Sequence, residues 1–194
     1  MRRTQQIERT RRALLQAAAV EFAAHGYTAT TVHRVSDRIG MTEGAVTFHY
    51  PTKGQLARVV GEAWTEMWIA EVARSTERGL DLRELESFMV RTTEQAQRDP
   101  LWRATIRLAR EREHIPGDVP RPSDAWLTLI RAALHASKET GVLRPNLDVE
   151  GASWQLTAHV IGMHSLMVDA PGKQSAPERV QQLLDAHRSM LAAT

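Results

Sequence analysis

Between Thr31 and Lys53 the residue types and their spacing suit gripping phosphates and touching base edges. Thr31 and Thr42 each precede a short apolar-periodic stretch. There a hydroxyl caps a helix, and the free N–H groups and helix dipole also favour phosphate. Gly44, Thr47 and Phe48 are spaced i, i+3 and i+4, so on a helix they face outward together. Gly44 lets another backbone approach closely. His49 and Lys53 supply donors for phosphate, and Arg3 lies in a basic start, RRTQQIERTRR, expected to begin as a mobile arm reaching phosphate or the minor groove. Phe48 has two readings, packing on the first helix or contact with a thymine methyl. Glu43 also has two: a helix N-terminal charge, or an acceptor for cytosine N4, since a carboxylate cannot bind phosphate or guanine acceptors.

Two short helices must position these groups. Val32, Val35 and Ile39 recur on one face of the first, and Gly40 stops it. Thr42 opens the second, 43–49, with Val46 and Tyr50 facing inward. Two short helices joined by a tight glycine turn read as a helix-turn-helix able to enter a major groove.

Charge points the same way. The chain has 194 residues and a formal charge of +2, but residues 1–60 hold nine Lys/Arg against four Asp/Glu, and the remainder sixteen against nineteen. The basic end coincides with the helix-turn-helix, which predicts a polyanionic partner, double-stranded DNA, for that end. With no cysteine, disulfides, thiolate catalysis and cysteine-held zinc are excluded. No signal peptide is read at the N-terminus, and a cytoplasmic protein is expected. The stretch 151–168 lacks Lys, Arg, Asp and Glu but carries Gln155, Thr157, His159, His164 and Ser165, which predicts a buried or interface helix rather than a membrane span.

Catalysis finds little support. Glu111-x-x-His114 is half of a di-iron helix motif without a second copy, and His159 and His164 are five apart, off one helix face. HExxH, a glycine-rich phosphate loop and Gly-x-Ser-x-Gly are absent. No cofactor and no metal are expected; a helical metal-dependent enzyme is the remote alternative.

Along the chain the apolar spacing predicts an all-α fold of about nine helices. The first, 5–25, carries Leu15, Ala18, Ala19 and Phe22 and ends at Gly26. A long helix to about 77 carries Leu56, Val60, Trp64, Met67, Trp68 and Val72, a face that serves either a core or a ligand. Asp81 with Glu84 is a capping box for 82–97, and Asp99-Pro100 starts another helix. HIPGDVPRPSD is a loop and a candidate flexible wall, after which Ser123 caps a helix to about 140. Asp148 begins the uncharged helix, Ala170-Pro171-Gly172 breaks the chain, and Ser175-x-Pro177-Glu178 opens the last helix.

The stretch RALLQAAAVEFAAHGYTATTVHRVSDRIGMTEGAVTFHYPTKGQLA resembles the N-terminal domain of the TetR family of transcriptional repressors. The marks are Phe22, Gly26-Tyr27, Thr30-Thr31-Val32, Gly40-Met41-Thr42, Gly44-Ala45, His49-Tyr50 and Lys53-x-x-Leu56, over roughly residues 10–60. Family members often have Tyr where this chain has Thr47, and Lys where it has Glu43. The resemblance implies a helix-turn-helix DNA-binding domain at 1–52 and a ligand-binding and dimerisation domain at 53–194.

The later half resembles the γ-butyrolactone autoregulator receptors and their relatives that answer to butenolides and furans. The signs are Asp99-Pro100-Leu101-x-x-Ala104-x-Ile106-x-Leu108, the proline-rich loop and Ser123-Asp124-x-Trp126. In that subgroup a tryptophan at this helix start lines the signal pocket, which selects Trp126. Trp64, Trp68, Phe88, Ile106, Ile130 and Met163 complete an expected apolar cavity, with Thr92, Thr105 and His159 as polar anchors. Trp154, Ile161, Met167, Leu183, Leu184 and Met190 are expected at a homodimer interface of four helices. The implied function is a repressor that binds a pseudo-palindromic operator as a dimer and is released by a butyrolactone-type signal. The alternatives are an antibiotic, a butenolide, a furan or a lipid-like effector.

Overall fold

The computed structural model describes residues 2–169 and 175–191, without the side chains of residues 2, 3, 176 and 188–190. The described residues form nine α-helices and no strand. In chain order these are α1 (Arg2–Ala29), α2 (Val32–Arg38), α3 (Glu43–His49), α4 (Lys53–Glu77), α5 (Leu82–Arg98), α6 (Pro100–Arg110), α7 (Pro122–Glu139), α8 (Val149–Asp169) and α9 (Ala176–Leu191). The architecture is the all-α one that the apolar spacing predicts, with a helix-turn-helix near the N-terminus.

Local chemistry sets many of the ends. Asp99 accepts from the Leu101 N–H at 2.9 Å, and Pro100 occupies the first turn of α6, where its missing N–H costs nothing. Ser175 and Glu178 form a reciprocal capping box: the Ser175 N–H donates to Glu178 Oε2 at 2.8 Å, and the Glu178 N–H to Ser175 Oγ at 3.5 Å.

Other ends differ from expectation. α1 is helical from Arg2, with no arm before residue 5, because RRTQQIERTRR contains no helix breaker. Ser123 does not cap α7; the helix begins at Pro122, whose fixed φ suits a first turn, behind an Arg121 that makes no side-chain cap. Asp81–Glu84 is half a capping box. Asp81 Oδ1 accepts from the Glu84 N–H at 2.9 Å, but the Glu84 carboxylate is drawn instead to Ser75, Arg78 and Arg91. The expected break at Ala170-Pro171-Gly172 lies outside the described residues.

Packing divides the chain into two compact units, 1–67 with 99–120 and 68–98 with 121–194. In the first, α1 lies on α6, and Leu14, Ala18, Phe22, Val35, Val46, Leu56, Val60 and Leu108 make the core. Leu14 is the fully buried leucine of α1, and the expected Leu15 packs half-buried beside it. Ile115 and Val119 also enter this core, so the proline-rich segment is fastened down rather than being a loose wall. Two α4 glycines, seven residues apart, receive its prolines. A Cβ at Gly54 would stand 3.4 Å from Pro116 Cδ, and one at Gly61 only 2.4 Å from Pro120 Cδ.

In the second unit α7 lies on α8 and α5 on α9, with α5 also against α7 and α8. Its buried residues include Trp68, Leu85, Phe88, Met89, Trp126, Ile130, Leu134, Leu156 and Val160. Among the described residues no helix is long and apolar enough to cross a membrane.

Candidate nucleic-acid interface and aromatic cluster

The reading helix is held by caps at its entrance and by a buried valine beneath. Thr31 sits in extended backbone before α2 and accepts from the Arg34 N–H at 3.2 Å; Thr42 does the same for α3 with the Ala45 N–H at 3.2 Å. Gly40 takes φ 64 in the turn, letting the Met41 N–H return to Ser36 O at 3.0 Å. Val35 and Val46 are fully buried and press the two helices onto the core. The buried Glu21 carboxylate accepts from Arg38 at 2.7 Å, which ties α1 to α2.

Gly44, Thr47 and Phe48 then face away from the core together. Phe48 is 81% exposed, so it does not pack on α1. A Cβ at Gly44 would meet nothing within 4 Å, leaving that spot open to an outside partner. The Thr47 hydroxyl donates to Glu43 O and Gly44 O, both at 3.1 Å, and His49 is half-buried with its ring edge-on to Phe48 at 5.4 Å. Glu43 is exposed, with Oε1 3.1 Å from His33 Nδ1. The Arg3 side chain lies outside the described residues.

Lys53 is differently employed from the free cation that its place suggests. Its ammonium donates to the carbonyls of Tyr27 (2.8 Å), Thr28 (3.3 Å) and Thr30 (2.9 Å) and lies 4.3 Å from the Tyr27 ring centre. Burial pushes Lys53 below its ordinary pKa, against an opposing pull from Glu111. Lys53 thus staples the end of α1 to the start of α4. Glu111, singled out for half of a metal motif, is likewise committed. Its carboxylate accepts from the N–H groups of Tyr27 (3.1 Å) and Thr28 (2.8 Å). Burial alone would raise its pKa, but these bonds hold it lowered. Among the described residues no group of three or more His, Asp or Glu could hold a metal ion.

In the second unit Trp68, Phe88 and Trp126 form an aromatic triangle. Ring centres are 5.0 Å apart for Trp68–Trp126, 5.2 Å for Trp68–Phe88 and 5.5 Å for Phe88–Trp126, all steeply inclined. His164 of α8 joins it at 5.7 Å from Trp126. Its Nε2 is 3.0 Å from the Thr93 hydroxyl, and burial pushes its pKa down to about 4, so the ring is neutral near pH 7. The Trp126 indole N–H is buried and has no hydrogen-bond partner among the described residues.

The other expected pocket residues scatter. Ile130 is buried and Met163 half-buried in the second unit. Thr92 spends its hydroxyl on Phe88 O at 2.8 Å, within its own helix. His159 is exposed and meets His187 at 2.9 Å, away from the triangle. Trp64, Thr105 and Ile106 belong to the first unit, where Trp64 stands edge-on to Trp102 at 5.6 Å and Thr105 donates to Leu101 O at 2.9 Å. On α8, Trp154 and Leu166 are 66% and 69% exposed, with Ile161 and Met167 half-buried. On α9, Leu183 is half-buried and Leu184 buried, and the Met190 side chain lies outside the described residues.

Residues 14–60 match the model of bacterial regulatory proteins, tetR family. A solved structure reported as the molecular basis for control of antibiotic production by bacterial hormones is 33% identical. The match covers 95% of this chain and 98% of that one, with a TM-score of 0.82. The chain belongs to the tetR family. A γ-butyrolactone receptor described as ArpA-like shares the fold at 22% identity, with a TM-score of 0.83 over 97% of this chain and 91% of that one. The probable acrEF/envCD operon repressor of Escherichia coli K12 is 33% identical over 63 residues, which are 32% of this chain. The match spans 26% of the length of that curated relative. The family is one of regulatory proteins, and this tetR-family chain is a regulator rather than an enzyme.

In this tetR-family chain neither the polar residues of 151–168 nor the histidine spacing points to Thr93 as the partner of His164. Their bond joins α5 to α8 across 71 positions. The one available signal was a histidine with a serine beside it in an otherwise apolar stretch. The roles of Glu111 and Lys53 had no signal, since both are long-range bonds to backbone.

Proposed function

We propose that the chain is a ligand-responsive transcriptional repressor of the cytoplasm that binds a pseudo-palindromic operator as a homodimer. Residues 1–52 read DNA, and 53–194 hold the ligand and the dimer contacts. The observation that carries the DNA reading is the outward face of α3. Gly44, Thr47 and Phe48 stand clear of the core on a helix capped by Thr42. A bare phenylalanine on a basic head is costly in water and suits a thymine methyl. Thr31, Thr42 and His49 flank it for phosphate contacts, and Arg3 is a further candidate for one; Lys53 holds the frame.

Trp126 supports the ligand reading. Its unpartnered buried N–H, set in an aromatic triangle, is a donor waiting for an acceptor. The carbonyl of a γ-butyrolactone-type signal meets that need, and its alkyl tail suits Trp68 and Phe88. The exposed Trp154 and Leu166, with Ile161 and Met167 on the same helix and Leu183 and Leu184 on α9, support a two-fold contact through α8 and α9. Two such heads would stand about 34–36 Å apart, one turn of DNA. Ligand that prefers the released state by about 5.5 kcal/mol empties the operator.

A gel shift on DNA upstream of the chain's own gene tests this, with butyrolactones, butenolides and furans added in turn. Retarded DNA freed by a butyrolactone is the expected result. Release by an antibiotic or a lipid-like molecule alone would keep the repressor and replace the signal.

A further inference from the structure

Glu43 opens the reading helix with a negative charge, on a surface that has to meet phosphates. Left to itself, an exposed carboxylate there would swing away from the duplex and weaken binding. The structure does not leave it to itself. His33 of α2 lies between two carboxylates, with Nδ1 3.1 Å from Glu43 Oε1 and Nε2 3.2 Å from Asp37 Oδ2. Both ring nitrogens thus stand against acid oxygens. The pair spans the turn, joining a side chain in the first turn of α3 to one on α2, and it holds one Glu43 oxygen in a set place. Gly44, the next residue, offers no side chain that would block approach, and among the described residues nothing lies within 4 Å of where a Cβ there would stand.

We propose that Glu43 is a specificity-determining residue of the DNA interface, accepting a hydrogen bond from cytosine N4 in the major groove, and that His33 is the positioning residue that aims it. This rests on the DNA-binding reading above. A fixed carboxylate rewards a base-pair donor and penalises the N7 and O6 acceptors of guanine on the same strand, so it selects by repulsion as well as by attraction. His33, 3.1 Å away, limits where that carboxylate can stand. Unlike a lysine at the same place, Glu43 adds no affinity for DNA in general. The carboxylate therefore trades affinity for discrimination at one base pair.

The test uses the full-length protein and an operator fragment found by gel shift. Each base pair of one half-site is changed in turn to the other three, and affinity is read by fluorescence anisotropy at a single salt concentration. Wild type should prefer C·G at one position by about ten- to a hundredfold. Glu43→Gln should lose that preference while binding unrelated DNA several-fold more tightly, since one repelling charge is gone. His33→Ala should retain the same preferred base with discrimination reduced several-fold. A Glu43→Gln protein that ranks the base pairs at every position as wild type does overturns the proposal alone. A wild-type protein that retards no fragment overturns the DNA-binding reading and this inference with it.

Discussion

Gly26 leaves the room that Glu111 fills: a Cβ at residue 26 would stand 1.9 Å from Glu111 Oε1. The glycine adopts φ 74, which breaks α1 and turns the N–H groups of Tyr27 and Thr28 toward the carboxylate of α6. One residue thus supplies both the backbone freedom and the space that fasten the head to α6. Gly26→Ala combines a left-handed backbone with a steric conflict and should cost about 1–3 kcal/mol. Thermal unfolding followed by circular dichroism should show Tm lowered by about 2–4 °C per kcal/mol. An unchanged Tm would mean that the carboxylate can move aside freely.

His164 sets a pH window. Its folded pKa, about 4, lies below the ordinary 6.5, so the unfolded chain binds the proton more readily. The stability it contributes is complete above about 6.5 and is lost as pH falls toward about 4. Tm measured between pH 7.5 and 4.5 should fall on this account, and His164→Gln should flatten the slope. Glu84, held at about 2 against an ordinary 4.5 despite its burial, acts lower. Bonds from Arg78, Ser75 and Arg91 keep it ionised, and its contribution disappears only below about pH 4.5. The two windows barely overlap, so the histidine variant is read cleanly above pH 4.5.

Trp126→Phe retains a ring within the triangle and removes the unpartnered N–H. Losing an unsatisfied buried donor gains about 1–3 kcal/mol, which offsets the packing lost with the smaller ring. Tm should therefore stay within about 4 °C of wild type. Lactone affinity measured by calorimetry should drop about tenfold, the worth of one hydrogen bond near 1.4 kcal/mol. Full affinity in this variant would remove the indole from the proposed ligand contact.

Phe48→Ala separates reading from folding. With the ring 81% exposed, stability should change by less than about 0.5 kcal/mol. Operator affinity by anisotropy should fall about tenfold if the ring sits on a thymine methyl. Equal affinity would leave Phe48 outside the interface.

Trp154→Glu tests the dimer face. A carboxylate opposed to its own symmetry mate is disfavoured at an isologous contact. Sedimentation velocity should show wild type as a dimer and the variant as a monomer of unaltered helix content. A variant that still sediments as a dimer would place the contact elsewhere.

Much was determined by sequence alone because its causes are local. Thr31, Thr42, Asp99 and Ser175 bond to N–H groups two or three residues on, and Gly40 turns the chain by its own φ. The face of α3 followed from helical spacing alone. Where the chain had to meet itself at a distance, tertiary structure decided. Phe48 could have folded onto α1, and only packing turned it outward. Lys53 could have been a free cation, until three carbonyls converged on it from residues 27–30. His164 and His159 looked alike, five apart on one helix; only the placement of α5 gave His164 its Thr93, and that of α9 gave His159 its His187. Caps and periods act over a few residues and can be read along a line. Burial and the pairing of separated polar groups depend on which surfaces meet, and that is settled when the whole core closes.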